Sequence, residues 1–220
     1  MDRCGREGGM AVGIFGGTFD PIHTGHLRVA EEIREGFSLE SIYFIPGGMP
    51  PHKRRRTIAP ADERLRMVKA AIRSNRFFRV SEIETKRSGP SYTIDTLKRF
   101  RKRFDELYFL IGIDAFSEID TWHCYQELFY HTNFIVMTRP TGKKQTLPKM
   151  PPLVVKKDVK KVDDTTFIHK SGKKIYFHDI TQIDISSTKV KELLKQNRSI
   201  RYLVPDAVER IINERILYGA

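Results

Sequence analysis

From Ala11 onward, short apolar runs alternate with amphipathic stretches. Ala11 to Phe15 is apolar throughout and stops at Gly16-Gly17, which predicts a buried strand. Gly25 to Glu35 places Leu27, Ala30 and Ile33 at helical spacing. Ser41 to Ile45 predicts a second strand, ended by Pro46-Gly47-Gly48. Asp62 to Ile72 predicts a helix with Leu65, Val68 and Ile72 on one face. Phe77 to Ile83 reads as a third strand, Thr93 to Arg103 as a helix and Leu107 to Ile111 as a fourth strand. Asn133 to Thr138 is a fifth strand, stopped by Arg139-Pro140. Lys174 to Asp179 returns to a strand pattern and Ser187 to Gln196 to a helical one. Pro205 to Leu217 closes with a helix, with Pro205 near its first turn and Val208, Ile211, Ile212 and Ile216 apolar. Such alternation predicts an α/β fold, a doubly wound parallel sheet with helices on both faces. A small helical part closes the chain over residues 181–220. Ligands of such sheets bind beyond the carboxyl ends of the strands.

Two regions fall outside this pattern. Residues 1–10 carry charge and glycine, and read as a disordered extension before a single domain spanning 11–220. From Thr141 to Lys174 the chain is rich in Lys, Pro, Asp and Thr, and reads as a long excursion with a short strand or two. No internal repeat is visible.

A chain of 220 residues suffices for one sizeable α/β domain. No apolar run approaches the roughly 20 residues of a membrane span. The first ten residues lack the apolar stretch of a secretory signal. The cysteines, Cys4 and Cys124, form no CxxC spacing, so a reducing cytoplasm is expected and no protein-held metal. The net charge of +12 gathers in runs at Lys53 to Arg56, Lys98 to Arg103, Lys156 to Lys161 and Lys170 to Lys174. These are solvated faces or a field that collects anions, and composition does not choose between them.

The chemistry concentrates in the segment from Gly16 to His26. Gly16 and Gly17 let a polyphosphate approach main-chain N–H groups, and Thr18 adds a hydroxyl. His23 and His26 are three apart at a helix entry and share one face. Imidazoles there can donate to phosphate oxygens beside the positive end of the helix. The segment is neither a Walker A loop nor a GxGxxG fingerprint. Further along, Ile185-Ser186-Ser187-Thr188 precedes a helix, where the hydroxyls serve either as caps or as a second anion site.

The string Gly16-Gly17-Thr18-Phe19-Asp20-Pro21-Ile22-His23 with His23-Thr24-Gly25-His26 resembles the HxGH nucleotidyltransferases. More closely it resembles the bacterial nicotinate-nucleotide adenylyltransferase family. Pro50-Pro51-His52-Lys53 and Gly89-Pro90-Ser91-Tyr92-Thr93 extend the likeness and separate that family from its HxGH relatives. The resemblance implies a Rossmann-like fold and transfer of AMP from ATP to nicotinate mononucleotide. The products would be nicotinate adenine dinucleotide and pyrophosphate, with Mg²⁺ brought by ATP. It implies nucleotide contacts from Gly16, Gly17, Thr18, Phe19, Gly112, Asp114, Arg139, Ser186 and Ser187. Lys191 stands where the family has arginine, keeping the charge without the bidentate fork. His23 and His26 become phosphate holders, and His52, Lys53, Tyr92, Thr93 and Trp122 become acceptor contacts. The lone Trp122 reads either as core or as a platform for a pyridine ring. The expected partners are the two small substrates, with no nucleic acid and no membrane. Whether the chain is a homo-oligomer stays open. The nearest rival is an HxGH enzyme with another acceptor, such as pantetheine phosphate or nicotinamide mononucleotide. A basic nucleic-acid module is a rival of a different class, but the chain has no RNP string or zinc-finger spacing.

Overall fold

The computed structural model describes residues 10–48, 58–138 and 150–219. The expectations for the N-terminal extension, for His52 and Lys53 and for Arg139 lie outside the described residues. The strands are β1 (Ala11–Gly17), β2 (Ser41–Pro46), β3 (Phe78–Val80), β4 (Glu106–Gly112), β5 (Asn133–Thr138), β6 (Val159–Lys161), β7 (Thr166–His169) and β8 (Lys174–Asp179). The helices are α1 (Thr24–Gly36), α2 (Ala61–Ile72), α3 (Thr93–Arg101), α4 (Ile113–Ser117), α5 (Tyr125–His131), α6 (Leu153–Lys156), α7 (Ser187–Lys195) and α8 (Asp206–Glu214). The strand order is β3-β2-β1-β4-β5-β8-β7-β6. It runs outward from β1 in both senses, which is the doubly wound, Rossmann-like arrangement. β2 pairs with β3, β4 with β5 and β5 with β8, all parallel. β7 and β6 add antiparallel strands beyond β8. No helix among the described residues is long and apolar enough to cross a membrane.

The chain groups into two compact units. One takes Leu39–Ser41, Tyr92–Asp179 and the start of β1 up to Ile14. Its core is aromatic. Phe134, Ile135 and Val136 of β5 are fully buried, as expected of a strand covered on both faces. The Phe134 ring lies 4.7 Å from Phe129, 5.7 Å from Phe116 and 5.9 Å from Phe109.

The other unit takes Phe15–Ser38, Ile42–Ser91 and the chain from Ile180 onward. The rings of Phe15, Phe19, Phe44 and Phe78 form a continuous cluster, each 5.1–5.8 Å from the next. Helix α2 buries Arg64, Met67, Val68, Ala71 and Ile72, a stripe at helical spacing that begins with an arginine. Leu65, expected on the core face, is only partly buried.

Two boundaries depart furthest from the sequence pattern. β3 ends at Val80 rather than Ile83, because the chain turns at once and Lys86 N–H bonds to Glu82 O at 2.9 Å. α8 ends at Glu214, and Ile216 leaves its apolar face with φ of 50° and 72% exposure. Within the described part of the excursion, the chain forms α6 and the pair β6–β7.

Phe134→Ala is expected to lower the stability of the folded chain by about 3–5 kcal/mol, measured by denaturant unfolding. A loss below about 1 kcal/mol would show that the aromatic core does not depend on this ring.

Candidate active site

Helix α1 starts on two imidazoles. His23 is its cap residue, with extended backbone, and His26 is the third helical residue. His26 Nδ1 accepts the His23 N–H at 3.2 Å, and the His26 N–H donates to His23 O at 2.9 Å. The rings stack at 3.7 Å. In a capping box a Glu or Gln at the third helical position commonly accepts the cap residue's N–H, the part that His26 plays. Here histidine holds both places. Gly25 between them leaves little room, because a Cβ there would stand 3.1 Å from His23 Nδ1 and the ring would have to give way.

The protonation of His26 follows from this geometry. Its ring sits 5.1 Å from Phe19 and 6.0 Å from Phe15. Burial, and then the neighbouring His23, holds its pKa well below the ordinary 6.5. The ring is therefore neutral at neutral pH. Since Nδ1 accepts a main-chain N–H, the proton resides on Nε2. His26 thus offers one neutral, fixed N–H donor.

Behind this pair lies a buried ionic cluster. Arg64 is 1% exposed and donates to three main-chain carbonyls: Thr18 at 2.7 Å, Gly48 at 3.0 Å and Ala59 at 3.0 Å. Burial lowers its pKa, and Asp20 opposes that shift, so the guanidinium stays charged. Asp20 is 4% exposed. Its Oδ1 accepts the Ala59 N–H at 2.9 Å and the Tyr218 hydroxyl at 2.7 Å. Its Oδ2 accepts Lys191 Nζ at 2.8 Å. The Gly47 N–H adds a bond to Gly17 O at 2.9 Å.

The start of α7 joins the same loop. Ser186 caps the helix by accepting the Lys189 N–H at 3.1 Å. Ser187 Oγ donates to Pro21 O at 2.9 Å. Capping and placement beside the phosphate-type loop therefore coexist, one on each serine. Gly17, Thr18, His23, His26, Ser187 and Lys191 are thus tied together within one unit. The Phe19 ring is buried in the aromatic cluster. Its φ of 48° lies in the left-handed region, a strain that the ring packing offsets. Asp20, Arg64 and Tyr218 were not among the candidates. Arg64 is recoverable from its place on the buried stripe of α2, once an arginine is admitted to a core position.

In the other unit, Tyr92 precedes α3 and stacks on His123 at 4.2 Å, with Thr93 as the first helical residue. Trp122 is partly buried and meets Phe109 edge-on at 6.1 Å. It is therefore partly a packing residue and partly open. Gly112 precedes α4, with open space where a Cβ would stand, and Asp114 is exposed in the first turn. The stack of His123 on Tyr92 has no signal in the sequence spacing. Among the described residues no three His, Cys, Asp or Glu side chains gather as a metal site.

Two glycines that end the first strand of a doubly wound sheet, followed by a histidine-capped helix, define a nucleotidyltransferase-type site. The sequence model of the cytidylyltransferase-like family matches residues 14–193. A probable nicotinate-nucleotide adenylyltransferase of Geobacter sulfurreducens is 39% identical over 213 residues, covering 96% of this chain and 99% of its own. Its counterpart in Trichlorobacter lovleyi is 42% identical over 212 residues, covering 95% and 99%. The chain belongs to the nicotinate-nucleotide adenylyltransferase family. The fold agrees with a solved structure of the Plasmodium falciparum nicotinic acid mononucleotide adenylyltransferase complexed with NaAD. That likeness has a TM-score of 0.68 at 19% identity and covers 95% of this chain and 97% of that one.

The histidine geometry sets a pH dependence. In the unfolded chain His26 takes up a proton near pH 6.5, whereas the folded site resists it. The unfolded state then binds more protons, so folding stability falls as pH drops below about 6.5. His26→Gln keeps an acceptor at the same helical position. Its melting temperature is expected to fall less than that of the unaltered protein between about pH 7.5 and 5.5. Equal falls in the two proteins would place the pH dependence elsewhere.

Proposed function

We propose that this chain transfers AMP from ATP to nicotinate mononucleotide, giving nicotinate adenine dinucleotide and pyrophosphate. The observation that carries the proposal is the stacked His23–His26 pair at the start of α1, with neutral His26 left to donate from Nε2. Fixed donors of this kind stabilise charge spreading over a phosphoryl group without reorganising during the reaction. The names of the family relatives support the acceptor.

An oxygen of the acceptor phosphate attacks the α-phosphorus of ATP. As that bond forms, the bond from the α-phosphorus to the bridging oxygen breaks, and pyrophosphate leaves with the electron pair. The attacking phosphate is already ionised at neutral pH, so no side chain needs to remove a proton. Alignment and charge stabilisation are the protein's contribution. His23, His26, Gly16, Gly17, Thr18, the Phe19 main chain, Ser186, Ser187 and Lys191 hold the triphosphate. Gly112 and Asp114, with Arg139, take the adenosine part. Tyr92, Thr93 and Trp122, with His52 and Lys53, take the acceptor, and the half-buried indole stacks on its pyridine ring. Mg²⁺ enters as the counter-ion of ATP, as part of the substrate. The two substrates are the partners of this reading, and the cytoplasm is its compartment.

The test is pyrophosphate release from ATP across nicotinate mononucleotide, nicotinamide mononucleotide and phosphopantetheine. The highest kcat/KM is expected with the first, and a higher value with either of the others overturns the acceptor assignment. Trp122→Ala is expected to raise the acceptor KM about two- to tenfold while leaving the KM for ATP unchanged. Loss of the folded state in that variant would make Trp122 a core residue instead.

A further inference from the structure

Tyr218 stands in the turn Leu217–Gly219 after α8, and nothing in the sequence pattern attaches chemistry to it. Its hydroxyl donates to Asp20 Oδ1 at 2.7 Å, and the Ala59 N–H supplies that oxygen's second bond at 2.9 Å. Oδ2 is thereby left to Lys191 Nζ at 2.8 Å. The same ammonium lies 5.7 Å from the centroid of the Tyr218 ring, within cation–π range. Tyr218 thus acts on Lys191 twice, through the carboxylate and through its own ring.

Asp20 lies between two cations, Arg64 and Lys191, and Asp62 adds a second negative charge near Arg64. The Arg64 guanidinium is absorbed by three carbonyls deep in the unit. Lys191 keeps a quarter of its side-chain surface open, one turn into the helix that Ser187 begins. Its ammonium is therefore held at a place that an anion from solvent can reach. A freely turning Asp20 would close both oxygens on the ammonium and withdraw it. Two donors on Oδ1 prevent this. Burial and the charge of Asp20 push the Tyr218 hydroxyl above its ordinary range, so it remains a protonated donor.

We propose that Tyr218 is a positioning residue for Lys191, fixing its ammonium near the start of α7 to receive the anionic oxygens of a triphosphate. This rests on the reading of ATP as the donor substrate.

The test is a double-mutant cycle read by calorimetric titration of ATP without acceptor. Tyr218→Phe is placed in the unaltered protein and in Lys191→Met. The first comparison is expected to show about three- to tenfold weaker ATP binding, and the second less than about 1.5-fold. Tyr218→Leu, which removes hydroxyl and ring alike, loses at least as much in the first background and as little in the second. In turnover assays, Tyr218→Phe raises the KM for ATP and leaves the acceptor KM within about twofold. Equal loss in both backgrounds, no loss in either, or a matching rise in both KM values overturns the proposal. Unaltered protein that binds ATP but releases no pyrophosphate would sink the reaction while leaving the Tyr218 comparison readable. Protein that binds no ATP overturns both.

Discussion

A guanidinium with 1% of its surface exposed must find oxygen atoms inside the fold, because the desolvation penalty of an unanswered ion is several kcal/mol. Arg64 finds them on three separate stretches of main chain: at Thr18 after β1, at Gly48 after β2 and at Ala59 ahead of α2. The planar fork fixes those carbonyls relative to one another. Asp20 continues the constraint by accepting the Ala59 N–H, the Tyr218 hydroxyl and Lys191 Nζ. What this network supplies is mainly geometry. A buried ion pair adds little net stability over an apolar filling of the same volume, whereas removing one member leaves a charge without a partner.

The same constraint bears on the histidines. Thr18 and Asp20 are both tied down, and Ser187 holds the chain just after them through Pro21 O. His23 therefore enters α1 in one conformation, and the stack on His26 follows from it. The phenylalanine rings beneath exclude water from His26 and keep it neutral. A neutral imidazole with a fixed tautomer is a weaker attractor of polyphosphate than an imidazolium, but it needs no deprotonation before it donates. In the proposed reading, attraction falls to Lys191 and the helix start, and directed hydrogen bonding falls to His26.

Much of this was legible in the sequence, for a definite reason. Periodicity reports which side of an element is apolar, so the strand–helix alternation and the placing of Gly16 to His26 at a strand-to-helix junction follow from it. The cluster around Asp20 did not follow. Tyr218 is 198 residues away from Asp20 along the chain, and Arg64 occupies a stripe that hydropathy counts as apolar. The shortness of β3 and the early end of α8 depend on turn hydrogen bonds and on the left-handed backbone at Ile216, which an apolar residue does not announce. Trp122 packs edge-on against Phe109 and is still not enclosed, so its burial satisfies part of the core reading and leaves a face for the platform reading.

The histidine cap of α1 has a consequence for how such a protein can drift. Groups that serve chemistry usually detract from folding, so a lineage can exchange activity for robustness at those positions. His26 allows little such exchange, because the nitrogen that accepts the His23 N–H begins the helix and the opposite nitrogen is the one left to donate. Selection for a well-formed helix start alone would favour retaining the imidazole. A descendant that had lost its substrate could therefore carry the motif long after its chemistry was gone.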